Sequence, residues 1–254
     1  MDLLEVKKLH RRFGGLHAVN DVSFAVSRGA IKAVIGPNGA GKTTLFNLIS
    51  GSLRADSGEI FFEGEMIQDK KPFQIAQMGL ARTFQHVKLF PKMTVLENVM
   101  VGRHIHGRAG FIAAMLKLPW TWREEKAITD RSMELLRFLG LSRVAHVEAT
   151  SLPYGQQRIV ELARALACEP HLLLLDEPAA GLNIRETVEI GGLIEKIRDR
   201  GVTILIVDHD MSLVMRISDE IVVLSYGEKI AEDTPLGVQK DQEVIRVYLG
   251  EEDA

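Results

Sequence analysis

The sequence predicts an α/β fold around a mainly parallel sheet, and three observations predict it. Three short runs are apolar almost without interruption: "IKAVIG" (Ile31 to Gly36), "HLLLLD" (His171 to Asp176) and "VTILIVD" (Val202 to Asp208). Strands read this way when both faces of their sheet are covered. Segments of helical spacing separate the later runs, as parallel strands require. The first run also ends in a glycine-rich loop, "GPNGAGKTT" (Gly36 to Thr44), which opens directly into the helical stretch "KTTLFNLISG".

Taken in order, "LLEVKKL" near Leu3 and "VSFAV" (Val22 to Val26) read as short strands of an antiparallel part. The middle, from about Val95 to Val147, has helical spacing with few β-branched runs. Inside it, Gly102 to Ser132 is an excursion that carries both tryptophans, His104, His106 and several basic residues before turning amphipathic. Two histidines with no further ligand nearby make a poor metal site, and the apolar face is expected to pack on the domain or on a partner. "LPYGQQRIVELARAL" (Leu152 to Leu166) is an apolar-periodic helix with Pro153 and Gly155 at its mouth. "EIVVLSYGEKIAE" (Glu220 to Glu232) reads as a hairpin turning at Tyr226-Gly227, and the tail "GEEDA" is expected to fray. With no internal repeat or low-complexity linker, one domain is expected over 1–254.

At 254 residues the chain can bury a large core without disulfides. Its one cysteine, Cys168, reads as part of an apolar helical stripe and suits a reducing compartment. A net charge of −3 offers no general attraction to a nucleic-acid backbone, so no nucleic-acid partner is expected. The start of the chain has no basic and apolar export pattern. Apolar stretches such as "FIAAMLKLPW" fall short of the roughly 18 residues a membrane span needs.

The glycine loop satisfies G-x-x-x-x-G-K-[ST] in the context that gives the pattern meaning, after an apolar strand and at the start of a helix. Backbone N–H groups from Gly36, Pro37, Asn38, Gly39, Ala40 and Gly41 onward (Pro37 itself lending only its bend) curl toward phosphate oxygens, helped by the helix dipole. Lys42 neutralises β and γ oxygens, the Thr43 hydroxyl ligates Mg²⁺, and Thr44 completes the turn. "LLLLDEP" then presents Asp176 for Mg²⁺ and Glu177 to orient or deprotonate the attacking water. "VDHD" places His209 at the same sheet edge, to contact a γ-phosphate or hold Glu177. The reading is therefore an ATPase that uses ATP and Mg²⁺.

These motifs, with a glutamine in "ARTFQHVKLFPKMTVLENV" and the stretch "LPYGQQR", occur in an order and spacing that resembles the nucleotide-binding subunit of ABC transporters. The likeness covers nearly the whole chain. It implies a P-loop NTPase fold of the ABC ATPase type, with a RecA-like, mainly parallel catalytic core and an antiparallel β subdomain over approximately 1–93 and 165–254, and an α-helical subdomain over 94–164 with an insertion at 102–132. It also implies that Phe13 stacks on adenine, that Gln85 reaches the Mg²⁺ and the water, and that "AAGLN" joins two ATPase subunits, with Asn183 where aspartate is usual. "LPYGQ" takes the place of the Leu-Ser-Gly-Gly-Gln signature, so Tyr154, Gly155 and Gln156 are expected to meet ATP held by a partner. The absent serine and the Tyr154 replacement predict a heterodimer with a sister ATPase, a homodimer being the alternative.

"LPYGQQR" is further similar to the LivG-type ATPases of branched-chain amino acid importers. That implies membrane permease subunits as partners, an extracytoplasmic binding protein acting indirectly, and a peripheral place on the cytoplasmic face of the membrane. The alternatives are another cargo (urea, amides, other amino acids or lipid export) or a soluble ABC ATPase.

Overall fold

The computed structural model describes residues 2–85, 87–106 and 119–249. Strands β1 (Asp2–Phe13) and β2 (Leu16–Ser27) form a long antiparallel hairpin around Gly14-Gly15. The sequence suggested two short pieces here. The pairing instead continues across several register shifts, so polar residues that break the apolar pattern remain in the ladder. After β3 (Ile31–Ile35) and helix α1 (Lys42–Ile49), strands β4 (Ser57–Phe62) and β5 (Glu65–Met66) complete a four-stranded antiparallel sheet in the order β2-β1-β4-β5.

Helix α2 (Pro72–Gln77) leads into β6 (Leu80–Arg82), and α3 (Val95–Arg103) into a short 3₁₀ turn. Of the expected 102–132 excursion, residues 107–118 lie outside the described ones, and α4 (Pro119–Phe138) is its helical end. Then follow α5 (Tyr154–Leu166), β7 (Leu172–Asp176), α6 (Ile184–Arg198), β8 (Thr203–Val207), α7 (Met211–Ile217), the β9 (Glu220–Ser225) and β10 (Glu228–Asp233) hairpin, α8 (Pro235–Val238) and α9 (Gln242–Leu249). The second sheet runs β10-β9-β3-β8-β7-β6, parallel except for β10. Residues 250–254 of the expected frayed tail lie outside the described ones.

Every residue of β3, β7 and β8 is buried. Because side chains alternate along a strand, each strand feeds two cores. Leu173, Leu175, Ile204 and Ile206 join the helices α3 to α7 on one face. Leu172, Leu174, Leu205 and Val207 pack with α1 and the antiparallel sheet on the other. Lys32 is an exception to the apolar rule. Its buried ammonium is matched by Glu232 at 2.6 Å and Glu220 at 2.9 Å, the pairing a buried cation requires. Cys168 falls two residues beyond the end of α5 rather than within its stripe, half-buried and packed against the core. Burial pushes its thiol pKa up, which makes it a poor nucleophile.

Candidate active site

The glycine loop leaves β3, the strand between β9 and β8, and delivers its chain to the first turn of α1. Gly36 cannot carry a side chain, since a Cβ there would lie 2.1 Å from the Leu224 carbonyl oxygen. Gly41 caps α1 at φ 99°, a left-handed geometry that favours glycine, with the Ala18 carbonyl equally close. Lys42 is buried and donates to the Gly36 and Pro37 carbonyls at 2.6 and 2.8 Å. Burial pushes its ammonium pKa down, partly offset by the Glu177 carboxylate. Asn38, Gly39 and Thr43 are exposed, Pro37 and Thr44 half-buried, and Ala40 is packed in the core. Phe13 sits at the hairpin tip, exposed, with the Arg11 guanidinium 4.8 Å from its ring centre.

Parallel pairing in register sets the ends of β7 and β8 side by side, Asp176 opposite Val207. Glu177 then turns sharply at φ 49°, its N–H donating to the Val207 carbonyl at 2.7 Å. A non-glycine residue in that region costs roughly 1–3 kcal/mol and is held there by its surroundings. The carboxylate is gripped on both oxygens, Oε2 by Gln85 Nε2 at 2.9 Å and Oε1 by His209 Nε2 at 2.8 Å. An ionised Glu177 can only accept, so the His209 proton lies on Nε2. Asp208 ties the two strand ends together, accepting from the Ala179 N–H through Oδ2 and the Asp210 N–H through Oδ1. Burial pushes its carboxyl pKa up.

Asp176, also buried, accepts from Arg82 through Oδ2 at 2.7 Å, while no described residue bonds its Oδ1. Arg82 further donates to Asn47 Oδ1 and Ser50 Oγ, and so bridges β6, β7 and α1. The donor set fits Mg²⁺: a free carboxylate oxygen at Asp176 and an exposed hydroxyl at Thr43, hard ligands of the kind that ion takes. Gln85 joins this neighbourhood through Glu177.

The "LPYGQ" stretch lies elsewhere. Pro153 is the N-cap of α5, Tyr154 begins it, and Gln156 is exposed. Among the described residues no hydrogen bond joins 153–156 to 36–44. At Gly155 an added Cβ would meet only the flexible end of the Glu186 side chain, with Oε1 2.7 Å away and free to shift. Tyr154 packs against Gly181, with the Arg158 guanidinium 5.4 Å from its ring centre. Sequence reasoning placed Asp208 at the sheet edge without a role and gave none to Arg82 or Arg158. Arg82 had a legible signal, a cation one residue beyond the apolar pair Leu80-Ala81 and three before Gln85.

A strand-loop-helix phosphate cradle beside a carboxylate held between a glutamine and a histidine defines a nucleoside-triphosphate hydrolase built on a parallel sheet. Within that class, the family described as ABC transporter matches residues 19–180, and the branched-chain amino acid ATP-binding cassette transporter family matches 228–254. The chain belongs to the ATP-binding subunits of ABC transporters, which hydrolyse ATP. It is 44% identical over 250 residues, 98% of each chain, to the high-affinity branched-chain amino acid transport ATP-binding protein LivG of Escherichia coli. A nucleotide-free ATP-binding cassette from an ABC transporter superposes with a TM-score of 0.85 and 33% identity, covering 99% of this chain and 100% of that one. A dimeric cassette bound to ADP and Pi superposes at 0.76 and 25% identity, covering 91% and 98%.

Proposed function

We propose that this chain is the ATP-hydrolysing subunit of a branched-chain amino acid importer, and that Glu177 is its general base. The observation that carries the catalytic reading is the two-sided grip on the Glu177 carboxylate by Gln85 and His209. Held this way at a strand end beside the glycine loop, Glu177 accepts the proton of a water as its oxygen attacks the γ-phosphorus and the bond to the ADP oxygen breaks. Lys42 leaves its carbonyl partners for the β and γ oxygens. Thr43, Asp176 and Gln85 would hold Mg²⁺, which supplies charge neutralisation at the phosphates when bound. Phe13 offers its exposed face to adenine.

That no hydrogen bond among the described residues joins 153–156 to 36–44 favours the work of Tyr154, Gly155 and Gln156 in trans. Two subunits facing head to tail bring the α5 N-terminus of each to the triphosphate on the other. The altered signature favours a sister ATPase as the second subunit. An open groove of about 720 Å³ is lined by residues on either side of Gln85 in the chain, Arg82, Phe84, Leu89 and Phe90, together with Arg164. Phe84 and Phe90 are exposed there, which suits a permease segment. No helix among the described residues is long and apolar enough to cross a membrane. In this reading the chain attaches to the cytoplasmic face through permease subunits, with a binding protein beyond them delivering cargo.

Glu177→Gln should lower ATP turnover by about 10²- to 10⁴-fold, the typical contribution of a positioned base, and accumulate ATP-bound dimers. Unaltered turnover overturns the catalytic reading. Leucine, isoleucine and valine uptake by the reconstituted transporter tests the cargo, and full activity of a homodimer with the permeases would refute the sister subunit.

A further inference from the structure

Gln85 is exposed and stands on an irregular segment, yet its amide must stay within hydrogen-bond reach of Glu177. Something behind it has to hold the backbone. The group that does so is the buried guanidinium of Arg158, one turn into α5. Its Nη2 donates to the Gln85 carbonyl at 2.7 Å and to the Ala180 carbonyl at 3.3 Å, and its Nη1 to the Phe84 carbonyl at 3.3 Å.

One planar fork thus joins three elements that sequence separates widely: the segment bearing Gln85, the loop after Glu177, and the helix that begins with Tyr154 and Gly155. Glu161, also buried, supplies the countercharge at 3.8 Å, and the Tyr154 ring lies beside the guanidinium. Arg164, six residues further along α5, donates to the Lys88 carbonyl at 2.6 Å and extends the same attachment. A lysine could not reproduce this. Its single ammonium lacks the fork that spans acceptors on two loops.

We propose that Arg158 is a positioning residue for ATP hydrolysis, which sets the Gln85 amide against Glu177 and couples that setting to the α5 N-terminus and the Ala180 loop. The inference rests on the reading of Gln85 and Glu177 as parts of the active site. None of the Arg158 partners belongs to the glycine loop, so its loss should act on turnover and leave nucleotide affinity measured without Mg²⁺, which Gln85 would help to hold, almost unchanged.

The test compares Arg158→Gln and Arg158→Lys in the full-length chain, in the same assembly used for Glu177→Gln. Steady-state ATPase gives kcat, and a fluorescent ATP analogue in the absence of Mg²⁺ gives Kd. Arg158→Gln should lower kcat at least tenfold with Kd changed less than twofold, and Arg158→Lys should fall between it and the parent. In a Gln85→Ala background, where there is no amide left to position, Arg158→Gln should cost less than threefold more. Parental turnover, a loss expressed mainly in Kd, or the same fold-loss in both backgrounds overturns the proposal. Should Arg158→Gln fail to fold, Arg158→Lys decides on the same criteria. A Glu177→Gln variant that turns over normally would instead remove the active-site reading; an inactive one beside a normal Arg158→Gln removes only this inference.

Discussion

Replacing Arg82 by methionine probes how the site tolerates the buried Asp176 carboxylate. The side chains of the pair are 9% and 3% exposed and 2.7 Å apart, so water screens them little. Methionine keeps most of the apolar volume between the Phe46 and Phe84 rings, whose centres lie 5.8 and 5.7 Å from the guanidinium carbon. The cavity contribution is therefore small, and the loss is chiefly electrostatic. Removing one partner of a buried pair leaves an uncompensated charge and costs about 3–5 kcal/mol, against a total stability of roughly 5–15 kcal/mol for a domain. The lost bonds to Asn47 and Ser50 overlap with that figure rather than adding to it in full. Urea denaturation of the full-length chain measures the difference. Arg82→Met combined with Asp176→Asn should recover most of the loss, because the stranded charge has gone. A loss below about 1 kcal/mol, or a double variant no more stable than the single one, would refute the claim that Arg82 compensates Asp176.

Two glycines in helices should respond oppositely to alanine. At Gly102 a Cβ would lie 2.1 Å from the Arg164 carbonyl oxygen, so Gly102→Ala forces α3 away from α5 and should cost about 1–3 kcal/mol. At Gly192 nothing lies within 4 Å, and Gly192→Ala should stabilise α6 by roughly 0.5–1 kcal/mol; thermal unfolding of the two variants checks both signs. Asp210 caps α7 through the Ser212 and Leu213 N–H groups. The Ser212 hydroxyl bond, with these N–H groups, holds its carboxyl pKa below the ordinary carboxylate value despite some burial. Its stabilisation is thus complete above the unfolded pKa and disappears as pH falls through the folded one. Asp210→Ala should cost about 1 kcal/mol in urea titrations at pH 7 and progressively less as pH falls below the ordinary carboxylate value.

What the sequence determined by itself is the local part of this protein. The run from Ile31 to Ile49 contains its own instructions: apolar residues for a strand covered on both faces, glycines where no side chain fits, and good helix formers after Lys42. The hairpin at Tyr226-Gly227 was legible for the same reason, with both turn residues at positive φ. Shorter elements were not. Three-residue β6 is too brief to establish a period, yet it carries Arg82 to Asp176.

Only the tertiary structure decided how distant residues meet. Gln85 lies 92 positions before Glu177, and His209 32 positions after it; the order in which parallel strands stack brings all three together. Arg158 lies in an apolar-periodic helix, and only folding places two loops against its guanidinium. Gly155 read as an opening for a partner's phosphate, and the fold added Glu186 beside it. Local patterns follow from backbone geometry and side-chain alternation, which a few neighbouring residues specify. Long-range pairings follow from which faces are buried against which, and that is a property of the whole packed chain.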